Sequence, residues 1–134
     1  MRPAFTWVHR VRYGEVDYQG VVYNAHYLAW CDDAVEEWFA SLPFSVADLG
    51  WDFMLKRATI EWTGSAGLRD DATIEVGVER WGNTSFELGF AGRVEVRPVF
   101  TAAITYVGVV AGTTDTMPPP DAVRAALGEA HSRS

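Results

Sequence analysis

Two carboxylates, Glu15 and Asp17, stand two residues apart in the stretch RYGEVDYQGVVYNAHYLAW, residues 12–30. Gly20 can turn the chain after them, and from Ala25 a helical pattern begins. A carboxylate in a loop that feeds a helix start is a chemically useful arrangement. The carboxylate can serve as nucleophile or general base, and the free N–H groups of the first helical turn can bind negative charge that develops beside it. Asp17 is therefore the candidate catalyst, with the first helix turn polarising a carbonyl next to it. By residue type and spacing alone it competes with a plainer reading, an aspartate in a surface loop.

Rival chemistries find no support in the pattern. One cysteine, Cys31, and three scattered histidines, His9, His26 and His131, do not make a zinc set, so no metal is expected. There is no glycine-rich nucleotide loop and no GxSxG nucleophile elbow. His26 and Cys31 are five apart on one helix, which puts them on different faces. Cys31 falls in an apolar stripe and reads as a small core residue.

Composition narrows the class further. The 134 residues suit one domain, residues 1–134, and 49% hydrophobic residues suit a folded one. A net charge of −7 argues against a broad nucleic-acid surface, although a local basic pocket for phosphates stays open. Lys56 is the only lysine. Arginine in its place suits oxyanion recognition, but a GC-rich coding bias is the plainer and preferred reading. A lone cysteine permits no internal disulfide, no signal-peptide pattern opens the chain and no apolar run spans a membrane. The expectation is a cytoplasmic protein that uses neither membrane nor nucleic acid.

The elements that must position the loop follow from periodicity. Residues 5–13 alternate, with Phe5, Trp7, His9, Val11 and Tyr13 on one face, and read as a strand. His9 there reads as a packed, hydrogen-bonded histidine. From Ala25 to about Ser41, Tyr27, Leu28, Cys31, Val35, Trp38, Phe39 and Leu42 recur at threes and fours, giving a helix with Asn24 as N-cap and Pro43 as its stop. Residues 44–55 read as a short helix or turn. Strands are expected at 57–62, 72–81, 85–97 and 99–110, with a hairpin turn at Gly82-Asn83, an interruption at Pro98 and a bend at Gly89 and Gly92. A short helix at 121–130 closes the chain, and 131–134 fray. Strand, long helix, four strands and short helix make an α+β sandwich with an antiparallel sheet.

The run VRYGEVDYQGVVYNAHYL, residues 11–28, resembles the signature of hotdog-fold acyl-CoA thioesterases of the 4-hydroxybenzoyl-CoA thioesterase-like group. Asp17, Gly20, Val21, Val22, Tyr23, Asn24, Ala25 and Tyr27 carry the likeness. Residues 59–63, 69–71, 78–85 and 119–127 extend it over almost the whole chain. The resemblance implies a hotdog fold, a long central helix wrapped by a curved five-stranded antiparallel sheet. Many relatives carry histidine where this chain has Asn24, and here a histidine comes two places later, as His26.

What the resemblance implies for chemistry is hydrolysis of an acyl-CoA thioester to a free acid and coenzyme A. Asp17 would attack the carbonyl or activate a water, and the backbone N–H of Asn24 would hold the oxyanion. Glu15 ranks below Asp17, as a surface or supporting residue. Gln19, Gly20, Val22 and Tyr27 would border the substrate; His26 either faces it or simply sits on the first helix turn. Arg57, Arg80 and the turn Asn83-Thr84-Ser85 are candidates for the phosphates of coenzyme A, which enters as substrate and not as a cofactor. Each arginine is as readily a plain surface residue. The resemblance also implies a homodimer or homotetramer with the site between subunits. Two other functions fit the same likeness: an acyl-thioester hydratase or dehydratase, which needs a well-placed histidine, and a non-catalytic acyl-CoA binder.

Overall fold

A computed structural model of the chain describes residues 3–130. The elements run β1 (Phe5–Arg10), α1 (Ala25–Ala40), β2 (Trp51–Trp62), β3 (Asp71–Trp81), β4 (Ser85–Val94), β5 (Arg97–Val110) and α2 (Asp121–Leu127). The five strands form one antiparallel sheet in the order β1-β3-β4-β5-β2, so β1 and β2 are its edges. Short turns join β3, β4 and β5, which is why neighbours in sequence become neighbours in the sheet. The expected fraying of 131–134 lies outside the described residues.

α1 crosses one face of the sheet. Its 16 residues span about 24 Å at 1.5 Å per residue. Tyr27, Trp30, Cys31, Ala34, Val35 and Trp38 are buried. Ring contacts tie it to three strands: Trp38 stacks on Phe5 of β1, Tyr27 meets Phe100 of β5 edge-on, and Phe39 packs on Trp51 and Phe53 of β2. Trp30 and Ala34 complete a stripe that the sequence pattern drew one residue to the side.

Register shifts occur at Leu55/Arg57 in β2, at Val78/Arg80 in β3, and at Val99 of β5 opposite Gly92/Arg93. Such bulges bend a strand and increase its twist. Gly92 has a packing reason as well, because a Cβ there would collide with the Phe100 ring.

Four expectations change. The first strand ends at Arg10, and Tyr13–Glu15 forms a 3₁₀ turn. Residues 44–55 are not all helix or turn: a 3₁₀ turn covers Val46–Leu49, and β2 already begins at Trp51. The turn between β4 and β5 falls at Glu95-Val96, where Glu95 takes φ 56°, and not at Pro98. Asn24 is not a side-chain cap. It has helical dihedrals (φ −52°, ψ −36°) and makes no capping bond through its side chain. The helical turn begins earlier, with His26 N–H donating to the Tyr23 carbonyl and Tyr27 N–H to that of Asn24.

Candidate active site

Asp17 opens the tight turn of a small hairpin between β1 and α1. Val16 and Val22 pair across it, and Asp17 N–H donates to the Val21 carbonyl at 2.9 Å. Gly20 N–H returns to the Asp17 carbonyl at 2.9 Å, with Gly20 at φ 81°. That positive φ is the reason for glycine there. The Asp17 side chain is half-buried, and its Oδ1 accepts the Gln19 N–H at 2.8 Å, a local turn bond that orients the carboxylate. At the hairpin's base, Tyr23 N–H donates to the Glu15 carbonyl at 3.0 Å, and α1 starts immediately afterwards.

Residues 64–70 brace the hairpin from outside. Val21 pairs with Gly67, and Val22 N–H donates to the Ala66 carbonyl at 2.9 Å. Ala66 N–H in turn donates to the Tyr27 hydroxyl at 3.0 Å. A Cβ on Gly67 would sit 3.3 Å from the Gly20 carbonyl oxygen, so the two segments nearly touch. Arg97 holds this loop through the Ser65 carbonyl at 2.7 Å.

Glu15 is anything but a loose surface acid. His9 Nε2–H donates to its Oε1 at 2.7 Å, the Arg12 N–H donates to the same oxygen at 2.8 Å, and the Trp30 indole N–H donates to Oε2 at 2.7 Å. Three separate pieces of chain, β1, the 3₁₀ turn and α1, meet on one carboxylate. Partial burial pushes its pKa up, but the bonds from Trp30, Arg12 and His9 outweigh that and hold it below the ordinary value. His9 is, as expected, packed and bonded, between the rings of Trp7 and Trp30.

The remaining candidates separate into two groups. Gln19, Gly20, Val22, Asn24, His26 and Tyr27 gather at the hairpin and the first helix turn. Within that group Val22 and Tyr27 are buried in the frame itself. His26 is half-buried and edge-on to the Tyr23 ring. The second group does not come near Asp17 within one chain. Arg10 pairs with Asp71 at the hairpin end of β3, whereas Arg80, Asn83, Thr84 and Ser85 form the turn at its far end. Nine residues of strand, about 30 Å, lie between. There the turn is fastened by Gly108 N–H on the Thr84 carbonyl and by Arg124 on the carbonyls of Gly82 and Asn83. Arg57 sits at the β2 bulge on the outer edge of the sheet.

A groove of about 380 Å³ runs beside α1, between it and β2, lined by Val35, Phe39, Phe53 and Leu55 with Asp32, Glu36 and Tyr106 as its polar members. Tyr106 donates to Asp32 Oδ1 at 3.1 Å. Burial and the neighbouring Asp32 push the Tyr106 phenol well above its ordinary range, so it stays a donor. Cys31 is fully buried, and burial likewise pushes its thiol far up. Among the described residues no group of three or more histidines, cysteines and carboxylates could hold a metal, and no helix is long and apolar enough to cross a membrane.

Of the two roles open to Glu15, surface or supporting, its bonds fit the supporting one: His9 on β1 and Trp30, which falls outside the stripe the sequence pattern draws on α1, are donors that need an acceptor.

Residues 11–127 match a family model described as the thioesterase-like superfamily. Among solved structures, the 1,4-dihydroxy-2-naphthoyl-CoA thioesterase from Synechocystis aligns with a TM-score of 0.81 at 21% identity, over 92% of this chain and 94% of that one. A gentisyl-coenzyme A thioesterase aligns at 0.82 and 22%, over 92% and 99%. A thioesterase superfamily protein from Jannaschia sp. aligns at 0.83 and 22%, over 95% and 94%. At these identities the likeness is one of fold. Comparison with the curated proteins finds no match.

Proposed function

Since the chain belongs to the thioesterase-like superfamily, we propose that it hydrolyses an acyl-CoA thioester, with Asp17 as the reacting carboxylate. The observation that carries this reading is the seat of Asp17: a half-buried carboxylate held in a hairpin turn whose other strand runs directly into α1. Gln19 N–H occupies Oδ1, so Oδ2 is the oxygen to attack the thioester carbonyl or to take a proton from water. The Asn24 N–H, at the helix start, receives the carbonyl oxygen as it gains charge. An oxyanion donor of this kind is worth about 3 kcal/mol of barrier. The thiolate leaves, takes a proton and departs as coenzyme A; water supplies the second oxygen of the acid.

We place the acyl group in the groove between α1 and β2, and α1 is then the central helix of the hotdog arrangement. Assembly proceeds through β2. This strand is 12 residues long, has no neighbour on its outer side and exposes Met54, Leu55 and Trp62. A free edge of that length favours pairing with another strand. A second copy is also what brings the distant turn Arg80–Ser85 within reach of a long ligand bound at Asp17.

The test is thiol release from hexanoyl-, decanoyl-, benzoyl- and phenylacetyl-CoA by the wild type and by Asp17→Asn. Turnover of at least one ester, abolished in the variant at unchanged thermal stability, is the expected result. An Asp17→Asn protein that turns over like the wild type removes Asp17 from the chemistry. Tight binding of these esters with no turnover makes the protein a binder.

A further inference from the structure

We infer that Glu15 is a positioning residue, the joint that fixes the Asp17 hairpin against the first turn of α1. This rests on the reading of Asp17 as the reacting carboxylate. Among the described residues, Asp17 itself makes only local bonds, to Gln19, Gly20 and Val21. What locates the turn relative to the helix is its base. There the Glu15 carbonyl holds Tyr23, two residues before α1, while the Glu15 side chain holds β1 through His9 and α1 through Trp30. Backbone and side chain of one residue thus tie both strands of the hairpin to the two elements that flank it.

The donor count makes the joint sensitive to charge. Oε1 accepts two bonds and Oε2 one. Glutamine has the same shape but a single accepting oxygen, and its amide would face a donor on the other side. Glu15→Gln therefore breaks at least one limb without opening a cavity. Trp30→Phe removes the α1 limb alone and leaves the carboxylate in place.

The experiment combines thiol release from the four esters above with amide hydrogen exchange on the full chain. Misplacing a reacting group by an ångström costs about a hundredfold, so Glu15→Gln should lower kcat by about tenfold to a hundredfold. KM should hold within a factor of about three, because uniform binding is untouched. The acid limb of the kcat/KM profile should stay where it is, since the reacting carboxylate is unchanged. The amides of Asp17 and Val22 should exchange faster while those of β3 and β4 keep their protection. Trp30→Phe should move turnover and exchange in the same direction by less.

Wild-type exchange at Asp17 and Val22 in Glu15→Gln overturns the inference whatever the turnover. Wild-type kcat in Glu15→Gln, with Asp17→Asn inactive, also overturns it and leaves the Asp17 reading standing. Loss of the acid limb in Glu15→Gln, with Asp17→Asn still active, makes Glu15 the reacting carboxylate and overturns both.

Discussion

The indole N–H of Trp30 donates to Glu15 Oε2 at 2.7 Å, joining the second turn of α1 to a loop 15 residues earlier. Trp30 is 1% exposed, and the bond it makes to Glu15 is partly buried. Losing a donor to a partly buried charged acceptor costs about 1–3 kcal/mol. Trp30→Phe keeps most of the ring volume and should lose that amount in urea unfolding, with the m-value unchanged.

Glu15 also gives folding a dependence on pH. Its folded-state pKa lies below the unfolded one, chiefly because the bonds from Trp30, Arg12 and His9 overcome desolvation. The stabilisation is therefore complete above the unfolded value of about 4.3 and disappears as pH falls through the lower folded value. Unfolding measured at pH 7, 4 and 3 should show the wild type weakening toward acid. Glu15→Gln should start less stable and fall less steeply. The exposed pair Arg10–Asp71 contributes the same background to both proteins.

Gly20 holds the turn beside Asp17 at φ 81°, with open space where a side chain would project. The cost of substitution is thus conformational and not steric. Gly20→Ala should destabilise by about 1–2 kcal/mol, and Gly20→Asn by less, because asparagine visits this region more readily. Thermal melts will rank the three proteins, and kcat should follow the same order.

Assembly through β2 predicts that charge on its edge yields monomers. Met54 and Leu55 are 47% and 43% exposed in the single chain, so replacing both with glutamate should leave the monomer folded. Sedimentation should show the wild type as a dimer or larger and the double variant as a monomer. A wild type that sediments as a monomer removes β2 as an interface.

Local pattern predicted the elements well wherever a single period governed them. The alternation in β3 is of this kind, and so, in outline, is the α1 stripe. It failed where two signals overlapped. In Trp51–Leu55 an apolar Met54 on the outer face hides the alternation of Trp51, Phe53 and Leu55. At Glu95-Val96 the alternation of Val94 and Val96 runs straight through the turn, while Pro98, ordinarily a strand breaker, is tolerated inside β5. Asp17, Gly20 and the helix start were legible because they lie in one continuous run. The engagement of Glu15 was not, because it depends on where the fold carries His9 and Trp30. The distance between Asp17 and the Arg80–Ser85 turn was equally hidden, since it follows from strand order and not from residue type.

The burial of Cys31 has a consequence for reagents. The chain's sole thiol is fully enclosed and hard to ionise, and chromogenic disulfides react with thiolate. Native protein should therefore stay colourless with such a dye, and every equivalent of colour should belong to released coenzyme A. Unfolding the same sample should then expose one further equivalent per chain, a built-in gauge of how much of the preparation was folded.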